Sequence, residues 1–277
     1  TDSQWADFNN DGKDDLIMVG DWMPIRILIN TGDLKFVDKT NEYGLSKTNG
    51  LWNTLLVKDF NLDGSLDFIA GNAGTNLKWK PTIEKPVKLF LDDFDGNKQL
   101  DPIIFYDFFG KYVPFSSKDK LDKQIPLLKK KFPNYINFSN VKDLKSLTGK
   151  NDNEILETKY LYNLNSSIFI NQKGKFISKS LPQEVQLSTI EDFSIINHKP
   201  LSLIYVGNYN HYLTELGSAS ANPGGLLTNF NVNSLEFDLS ETLSLPISLE
   251  SRRIIEMKND FYIFSNNGYI YSLSKNK

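Results

Sequence analysis

At 277 residues, of which 40% are hydrophobic, the chain is long enough to bury a large core, as one large β domain or as two smaller ones. Its formal net charge of −3 gives no reason to expect nucleic acid as a partner, and the absence of cysteine excludes disulfides and thiolate metal sites. The two histidines, His198 and His211, lack the spacing of a zinc site, and no apolar run is long enough to predict a membrane span.

A nine-residue motif rich in side-chain oxygens begins near the start of the chain and occurs three times. It reads Asp-Phe-Asn-Asn-Asp-Gly-Lys-Asp-Asp from Asp7, Asp-Phe-Asn-Leu-Asp-Gly-Ser-Leu-Asp from Asp59, and Asp-Phe-Asp-Gly-Asn-Lys-Gln-Leu-Asp from Asp93. In each copy, oxygen-bearing side chains stand at positions 1, 3, 5 and 9, and position 7 can add its backbone carbonyl. The predicted metal ligands are Asp7, Asn9, Asp11, Lys13 and Asp15; Asp59, Asn61, Asp63, Ser65 and Asp67; and Asp93, Asp95, Asn97, Gln99 and Asp101.

This arrangement of oxygens is typical of a Ca²⁺ site. Alternate positions of a tight loop point to one side, which serves a hard cation that takes about six to eight oxygens. The motifs differ from EF-hands, which have a longer loop that ends in Glu and lies between helices. The alternative is a set of solvated turns, since Asp, Asn and Gly dominate turns anyway. Three copies, each followed by an apolar strand, favour the metal, and we expect two or three structural Ca²⁺ ions.

The third copy differs from the others at its turn. The first two have glycine at position 6, where the sharp turn requires a positive φ, whereas the third has Lys98 there and Gly96 at position 4. A left-handed lysine costs on the order of 1 kcal/mol. We therefore expect the third site to be weaker or slightly rearranged.

Short strands follow the motifs along most of the chain. We group residues 15–19, 25–30 and 35–38 in one sheet, and residues 51–59, 67–71, 87–92 and 102–107 in the next. Later strands are predicted at residues 167–171, 175–178, 202–207, 225–228, 254–258, 261–265 and 269–272. The motifs begin at residues 7, 59 and 93, and this spacing, with several short strands per unit, predicts an all-β fold made of the blades of a β-propeller.

Residues 117–150 interrupt this pattern with a small helical insertion. Ser117 is a plausible helix start. The apolar residues that follow it recur at helical spacing: Leu121, Ile125, Leu128 and Phe132. We expect the helix to stop at Pro133 and a second short helix to cover residues 141–147. The basic run at residues 129–131 is interpreted as a solvated helix face rather than as a site for an acidic partner.

The number of predicted blades indicates an incomplete ring. The strands make about four or five blades, and residues 191–197, which lack the carboxylates of the motif, predict a blade without metal. An open ring would expose sheet edges and apolar faces. We therefore expect residues 1–277 to be part of one propeller domain, the C-terminal segment of a longer chain, with residues ahead of Thr1 completing the ring.

The three motifs and their following strands resemble the FG-GAP/VCBS repeat, which builds the propeller of integrin α-subunits and of many bacterial surface proteins. The resemblance covers most of the chain through further segments: Gly-Asn-Ala-Gly-Thr-Asn from Gly71, Glu-Lys-Pro-Val-Lys-Leu-Phe from Glu84, Leu-Leu-Lys-Lys-Lys-Phe-Pro from Leu127 and Val-Gly-Asn from Val206. In this order they are similar to the C-terminal propeller of large VCBS-repeat proteins of Bacteroidetes, related to the cartilage acidic protein group.

The resemblance implies Ca²⁺ in the blade hairpins and a non-catalytic binding or scaffold module. It also implies a long, secreted or lipid-anchored protein of the bacterial cell surface or outer membrane, anchored upstream and often beside a TonB-dependent nutrient-uptake system. A protein partner in such an assembly is then expected, with a glycan as the other possible ligand. Residues 117–150 are the segment that we expect to make the protein contact.

A polysaccharide-active enzyme, a lyase or hydrolase with structural Ca²⁺, is the alternative function. Its chemistry could use His211 with Tyr209 or Tyr212, while Arg252 and Arg253 could bind a uronate carboxylate. We favour a loop histidine without a catalytic task and arginines that pack at the surface or at a strand edge. The tryptophans that could stack on sugars, but for which packing is the favoured interpretation, are Trp22, Trp52 and Trp79.

Overall fold

The computed structural model describes residues 2–212, 215–258, 260–266 and 268–274, with the backbone alone at residues 239 and 240. Most of its regular structure is β-strand, as the sequence predicts. The chain divides into two compact units: unit 1 is Thr1–Lys78 with Leu164–Lys277, and unit 2 is Trp79–Asn163. Unit 2 is therefore inserted into the sequence of unit 1.

The elements follow the chain in three groups. Before the insertion, unit 1 contributes β1 (Asp2–Ala6), β2 (Asp15–Val19), β3 (Asp21–Met23), β4 (Arg26–Gly32), β5 (Lys35–Asp38), β6 (Gly50–Leu51), β7 (Thr54–Lys58) and β8 (Asp67–Gly71). Unit 2 contains β9 (Val87–Asp92), β10 (Asp101–Phe108), β11 (Lys111–Pro114), α1 (Lys118–Gln124), α2 (Leu127–Lys131), α3 (Tyr135–Phe138), α4 (Leu144–Thr148), a 3₁₀ turn at Asp152–Glu154 and β12 (Glu157–Leu161). Unit 1 then continues with β13 (Ser167–Asn171), β14 (Phe176–Ser180), a 3₁₀ turn at Gln183–Leu187, β15 (Ile190–His198), β16 (Leu201–Gly207), β17 (Gly224–Asn231), β18 (Glu236–Thr242), β19 (Ser251–Met257), β20 (Asp260–Ser265) and β21 (Ile270–Ser274).

Unit 1 is built from successive antiparallel sheets. Their strand orders are β1-β2-β4-β5, β7-β8-β13-β14, β15-β16-β17-β18 and β19-β20-β21, and β3 and β6 form a separate pair. The first strands of consecutive sheets lie side by side. Gln4 of β1 donates from Nε2 to the carbonyl oxygen of Leu55 in β7 at 2.6 Å. Likewise, the backbone N–H of Ile254 in β19 donates to Asp192 Oδ2 in β15 at 2.7 Å, and β15 also contacts β7.

Neighbouring sheets of unit 1 pack face to face because side chains alternate along each strand. In β8, Phe68 belongs to the core shared with the first sheet, whereas Ile69 belongs to the core shared with the third. In β16, Leu203 packs towards the second sheet and Ile204 towards the fourth. Strands β8, β13 and β16 are therefore buried on both faces, which explains their unbroken apolar runs.

Unit 2 combines one sheet with one layer of helices. The sheet is antiparallel throughout, in the order β11-β10-β9-β12. Phe90 and Phe105 of the sheet share a core with Leu121 of α1, Leu128 of α2 and Leu144 of α4. Helices α1, α2 and α4 thus bury part of their apolar side chains against this one face of the sheet.

The helical segment is more broken than the sequence predicts. Ser117 caps α1 as expected, and its Oγ accepts from the backbone N–H of Lys120 at 3.4 Å. The predicted long helix was wrong, because Pro126 interrupts it: α1 ends at Gln124 and α2 begins at Leu127. The second predicted helix is α4, and α3 was not anticipated.

The predicted grouping of strands in the second sheet was also wrong. The strands expected at residues 87–92 and 102–107 are β9 and β10, which belong to the sheet of unit 2. The second sheet of unit 1 instead has the order β7-β8-β13-β14, and its last two strands follow the insertion. Ile69 of β8 thus stands opposite Ile168 of β13. The apolar pattern of a strand specifies which faces are buried, not which strand lies beside it. No closed sheet occurs among the described residues, so the propeller stays a prediction.

Leu203→Ala should destabilise unit 1 by about 2–5 kcal/mol, because Leu203 is fully buried between the second and third sheets. Leu34 offers a matched control, since it is 94% exposed between β4 and β5 and its truncation should cost less than about 0.5 kcal/mol. Urea unfolding followed by circular dichroism measures both variants. Equal effects of the two substitutions would contradict the packing of β16 against the second sheet.

Candidate metal centre

Each of the three predicted motifs forms the loop of a β-hairpin. The first joins β1 to β2, the second β7 to β8 and the third β9 to β10. The register is the same each time, and the residue before the loop pairs with the ninth position: Ala6 with Asp15, Lys58 with Asp67 and Asp92 with Asp101. The motifs therefore occupy equivalent places in three separate sheets.

The aspartate at position 1 accepts two backbone N–H groups of its own loop. In the first loop, Asp7 Oδ1 accepts from the N–H of Asp11 at 3.1 Å, and Asp7 Oδ2 accepts from that of Gly12 at 2.8 Å. Asp59 and Asp93 accept from the same two positions of their loops, at 2.8–3.2 Å. This aspartate thus closes the turn in all three loops.

The side chains at positions 3 and 5 also turn into the loop. Asn9 Oδ1 accepts from the backbone N–H of Asp11 at 3.1 Å, and Asp11 Oδ1 accepts from that of Lys13 at 2.9 Å. The equivalent bonds in the other two loops measure 2.7–3.1 Å. The predicted side-chain ligands at positions 1, 3 and 5 therefore converge on the inside of each loop.

The ninth position is a buried aspartate in every loop. Asp15 and Asp67 are fully buried, and Asp101 is nearly so. One oxygen of Asp67 accepts from the backbone N–H of Phe60 at 2.9 Å, and the other accepts from that of Asn171 in β13 at 2.8 Å. Asp15 accepts from the equivalent two positions of the first sheet at 2.9 and 2.8 Å. A buried carboxylate needs such partners, and here they attach the loop to the third strand of its sheet.

Positions 4 and 6 have left-handed backbone in all three loops, and each loop has one glycine at these positions. In the third loop, Gly96 at position 4 has φ 80° and Lys98 at position 6 has φ 68°. The other loops have the glycine at position 6 and Asn10 or Leu62 at position 4, with φ 58° and 61°. Each loop therefore contains one left-handed residue with a side chain, at a cost of about 1 kcal/mol, so Lys98 is not an exception.

The third loop brings three carboxylates close together. One oxygen each of Asp93, Asp95 and Asp101 lies within 4.8 Å of the others. Oxygens bound to one Ca²⁺ at roughly 2.3–2.6 Å are at most about 5 Å apart, so this spacing fits a common ion. The first two loops have Asn9 or Asn61 at position 3 and an aspartate at position 5 instead. All three loops thus offer three carboxylates and one amide, which are the hard oxygen ligands that Ca²⁺ takes.

Backbone donors and burial shift the pKa of the loop carboxylates in opposite directions. Hydrogen bonds from backbone N–H groups are the main cause that lowers the pKa of Asp11, Asp63 and Asp93. Burial is the main cause at the ninth position, where it raises the pKa of Asp67 to about 6 and also raises that of Asp101. A cation in the loop would favour the ionised form of these buried groups.

The third sheet of unit 1 has no such loop at the equivalent hairpin. Residues 191–197, where a further motif could have fallen, lie within β15. The described turn between β15 and β16 consists of Lys199 and Pro200. The first strand of this sheet therefore passes to the second through a two-residue turn.

The residues considered for catalysis form a second cluster in unit 1. The ring centroid of Tyr209 lies 4.7 Å from that of Tyr212 and 5.7 Å from that of His211. The guanidinium of Arg252 lies over the Tyr209 ring at 5.0 Å. Arg253 instead pairs with a carboxylate of β15 at 3.6 Å. Arg252 lies at a register shift between β19 and β20, and the two arginines contact different groups.

The charged groups of this cluster are paired with one another. Arg252 Nη1 lies 2.6 Å from Glu191 Oε2, and His211 Nε2 lies 3.4 Å from Glu250 Oε2. Burial raises the pKa of Glu191 and of Tyr212. These contacts attach the segment after β16 to β15 and to the start of β19, an arrangement typical of a structural contact.

Two of the three tryptophans considered for sugar stacking belong to hydrophobic cores. Trp52 is fully buried in unit 1 and donates from Nε1 to the carbonyl oxygen of Thr48 at 2.8 Å. Trp79 is 2% exposed in unit 2 and packs edge-on against Phe115 at 4.9 Å. Trp22 is half-buried. The packing interpretation is confirmed for Trp52 and Trp79.

Residues outside the motifs complete the surroundings of the loops, and the sequence analysis missed them. Asn30 and Asn171 donate their backbone N–H groups to the ninth-position aspartates of the first and second loops. The two asparagines have a similar sequence context that could have identified them. Each follows an isoleucine near the end of a strand, and a glycine stands two or three residues later. Gln124 and Lys150 reach the third loop, and nothing in the helical pattern distinguishes them from other polar residues.

Residues 7–70 match the FG-GAP-like repeat family, a span that contains the first two loops and most of the strands on either side of them. This match supports an FG-GAP repeat fold. No curated protein matches the chain. Within the described parts of the chain, no helix combines the length and the apolar character needed to cross a membrane.

In calcium-free protein, Asp67→Ala should destabilise unit 1 by roughly 2–4 kcal/mol, because the buried N–H groups of Phe60 and Asn171 lose their acceptor. Asp14→Ala is the control, since Asp14 is exposed at position 8 of the first loop and its loss should cost less than about 0.5 kcal/mol. Denaturant unfolding in the presence of a chelator compares the two. If both variants unfold like the wild type, the buried carboxylate does not hold the loop to the third strand.

Proposed function

We propose that this chain is a calcium-binding β-repeat module without catalytic activity, in which each of the three hairpin loops binds one Ca²⁺. The observation that carries the proposal is the repetition of one hydrogen-bond pattern in three separate sheets, with a carboxylate buried at position 9 each time. Solvated turns share the composition of these loops, but they have no need of a buried carboxylate.

The ions have a structural role in this proposal. Each loop contains three carboxylates, which lie closest together in the third, and an ion offsets their mutual repulsion and the cost of burying one of them. In the first two loops the ninth-position aspartate also accepts from the third strand, so an ion there stabilises the contact of three strands. The backbone carbonyls of Lys13, Ser65 and Gln99 at position 7 are proposed to complete the coordination shell.

We also propose that unit 1 belongs to a β-propeller. Its successive sheets, with their first strands side by side, support this architecture. The outward faces of the first and fourth sheets retain exposed apolar side chains, such as Trp5 at 61% and Ile255 at 45%. Further blades on these faces would bury them, as the cores between the internal sheets already do.

The proposed setting is the bacterial cell surface, in an outer-membrane-associated protein that is an accessory to a nutrient-uptake complex. The resemblance to VCBS-repeat surface proteins supports this setting, and the FG-GAP-like match of residues 7–70 agrees with it. The proposed partner is a protein, with a glycan as the alternative ligand. The helical layer of unit 2 is the proposed contact, since it exposes Leu127 at 55% and Ile136 at 79%.

A polysaccharide lyase or hydrolase is the second candidate function. The observation that favours it is the convergence of Tyr209, His211, Tyr212 and Arg252 in one cluster. The pairing of Arg252 with Glu191 weighs against it, because a substrate carboxylate would have to displace that partner. Turnover of an acidic or neutral glycan that is lost in His211→Ala would favour the enzyme over the binding module.

Native mass spectrometry should find two or three Ca²⁺ ions per chain at millimolar calcium. Asp63→Ala should reduce the number by one, because it removes the carboxylate at position 5 of the second loop, whereas Asp14→Ala should leave it unchanged. A wild-type chain that binds no calcium under these conditions would refute the proposal.

Removal of calcium should lower the melting temperature. An ion that binds only the folded state adds about 2.7 kcal/mol at a hundredfold excess over its dissociation constant. For a unit of this size, two occupied loops correspond to roughly 10–20 °C. Differential scanning calorimetry with and without chelator measures the shift, and Asp63→Ala should show a smaller shift than Asp14→Ala. An unchanged melting curve on chelation would mean that the loops are plain turns or hold another metal.

A further inference from the structure

The third loop is held by a different element from the first two. In loops one and two, a strand residue donates its backbone N–H to the second oxygen of the ninth-position aspartate. In unit 2, the neighbouring strand β11 pairs with β10 at residues 105–108, away from Asp101. The side chain of Gln124, at the end of α1, lies beside this position instead, and its Nε2 donates to the carbonyl oxygen of Pro102, the residue after Asp101, at 3.1 Å. A helix thus contacts the backbone next to the ninth position of the third loop.

A second contact joins the same loop to the other end of the helical segment. Lys150 follows Gly149, the residue that ends α4. Its Nζ lies 2.7 Å from Asp92 Oδ2 and 3.2 Å from the carbonyl oxygen of Asp93, and it stands 5.5 Å from the centre of the Phe94 ring. Neither oxygen is a predicted side-chain ligand, so the ammonium group and a bound ion can be present together.

The four helices of this segment, α1 to α4, depend on their surroundings for stability. They have between four and seven residues each, and isolated helices of that length are not stable in water. Their stability comes from apolar packing on the sheet of unit 2 and from the polar contacts at their two ends. A change in the order of the third loop therefore reaches the helical layer, residues 118–148, at the end of α1 and just after α4.

We propose that a divalent cation in the third loop controls the stability of this helical layer, whereas cations in the first two loops stabilise the sheets of unit 1. The inference rests on the proposed function, because it requires the third loop to bind the ion. Binding fixes Asp93 and Asp101; Lys150 contacts the carbonyl oxygen of Asp93, and Gln124 contacts that of Pro102, the residue after Asp101. By linkage, an ordered helical layer in turn raises the affinity of the third loop for the ion. At high calcium the helical layer is then folded, and its exposed surface is available for the proposed protein contact.

Hydrogen exchange with mass spectrometry on the full chain tests the proposal, with Ca²⁺ alone as the ligand. Amides of residues 118–148 should exchange roughly tenfold more slowly with calcium than with chelator. Asp95→Ala, and the more conservative Asp95→Asn, should reduce or abolish this change in residues 118–148. In both variants, residues 7–15 and 59–67 should keep their calcium response. The expected result is that the calcium-dependent slowing of exchange is lost in unit 2 alone.

Gln124→Ala tests the reciprocal effect. It should lower the calcium affinity of the third loop by about fivefold or more, read from the protection of residues 93–101 during a calcium titration. Lys123→Ala is the matched control, since Lys123 is exposed in the last turn of the same helix, and it should leave this affinity unchanged.

Two negative outcomes are distinguishable. If none of the three loops responds to calcium, the proposed function fails, and the inference fails with it. If residues 93–101 respond and residues 118–148 do not, the coupling is overturned while calcium binding stands. Equal calcium affinities in Gln124→Ala and Lys123→Ala would also overturn the coupling.

Discussion

A buried carboxylate at the end of each hairpin loop is the constraint on which the site depends. Burying an ionised group is costly unless hydrogen bonds replace the lost water. Asp15 and Asp67 meet this requirement with one N–H from their own loop and one from the third strand of the sheet. The loop, the second strand and the third strand are therefore specified together. This requirement explains why the motif ends in aspartate at a position that solvent does not reach.

The stacking of sheets in unit 1 begins at the same residues. Strands β2 and β8 start at Asp15 and Asp67, and in β8 the apolar residues that follow alternate between two neighbouring cores. A shift of one residue in β8 would exchange the faces of Phe68 and Ile69 and place each against the wrong sheet. The hydrogen bonds of the ninth-position aspartate hold this register. The polar site and the apolar core thus depend on each other.

Unit 2 uses the same loop in a different environment. The third loop keeps the hydrogen-bond pattern of the other two, although its sheet is covered by helices and its neighbouring strand does not reach the ninth position. Gln124 of α1 instead donates to the carbonyl oxygen of Pro102, the residue after the ninth position. The loop is therefore a local structure that tolerates different surroundings, and what it is coupled to depends on the element that lies beside it.

Much of this protein could be predicted from sequence because it is local. The three loops, their inward-turned oxygen side chains, the left-handed backbone at position 6 and the cap at Ser117 follow from residues within nine positions of each other. Most strands lie where their apolar patterns predict them. Pro126 also predicts the interruption of the long helix, because proline breaks helices. The helical spacing of the apolar residues on both sides of Pro126 favours one continuous helix instead.

The remaining features were decided by tertiary structure, because they join residues that are far apart in the chain. β8 pairs with β13 only after the whole of unit 2 has intervened, and a strand's own pattern does not identify its partner. Arg252 and Arg253 are adjacent in sequence but contact different carboxylates of β15, Glu191 and Asp192. Gln124 reaches Pro102, beside Asp101, because of where α1 packs. The sequence by itself thus determined the loops and the burial of the strands. The tertiary structure, which brings distant segments of the chain together, determined which strands and side chains surround them.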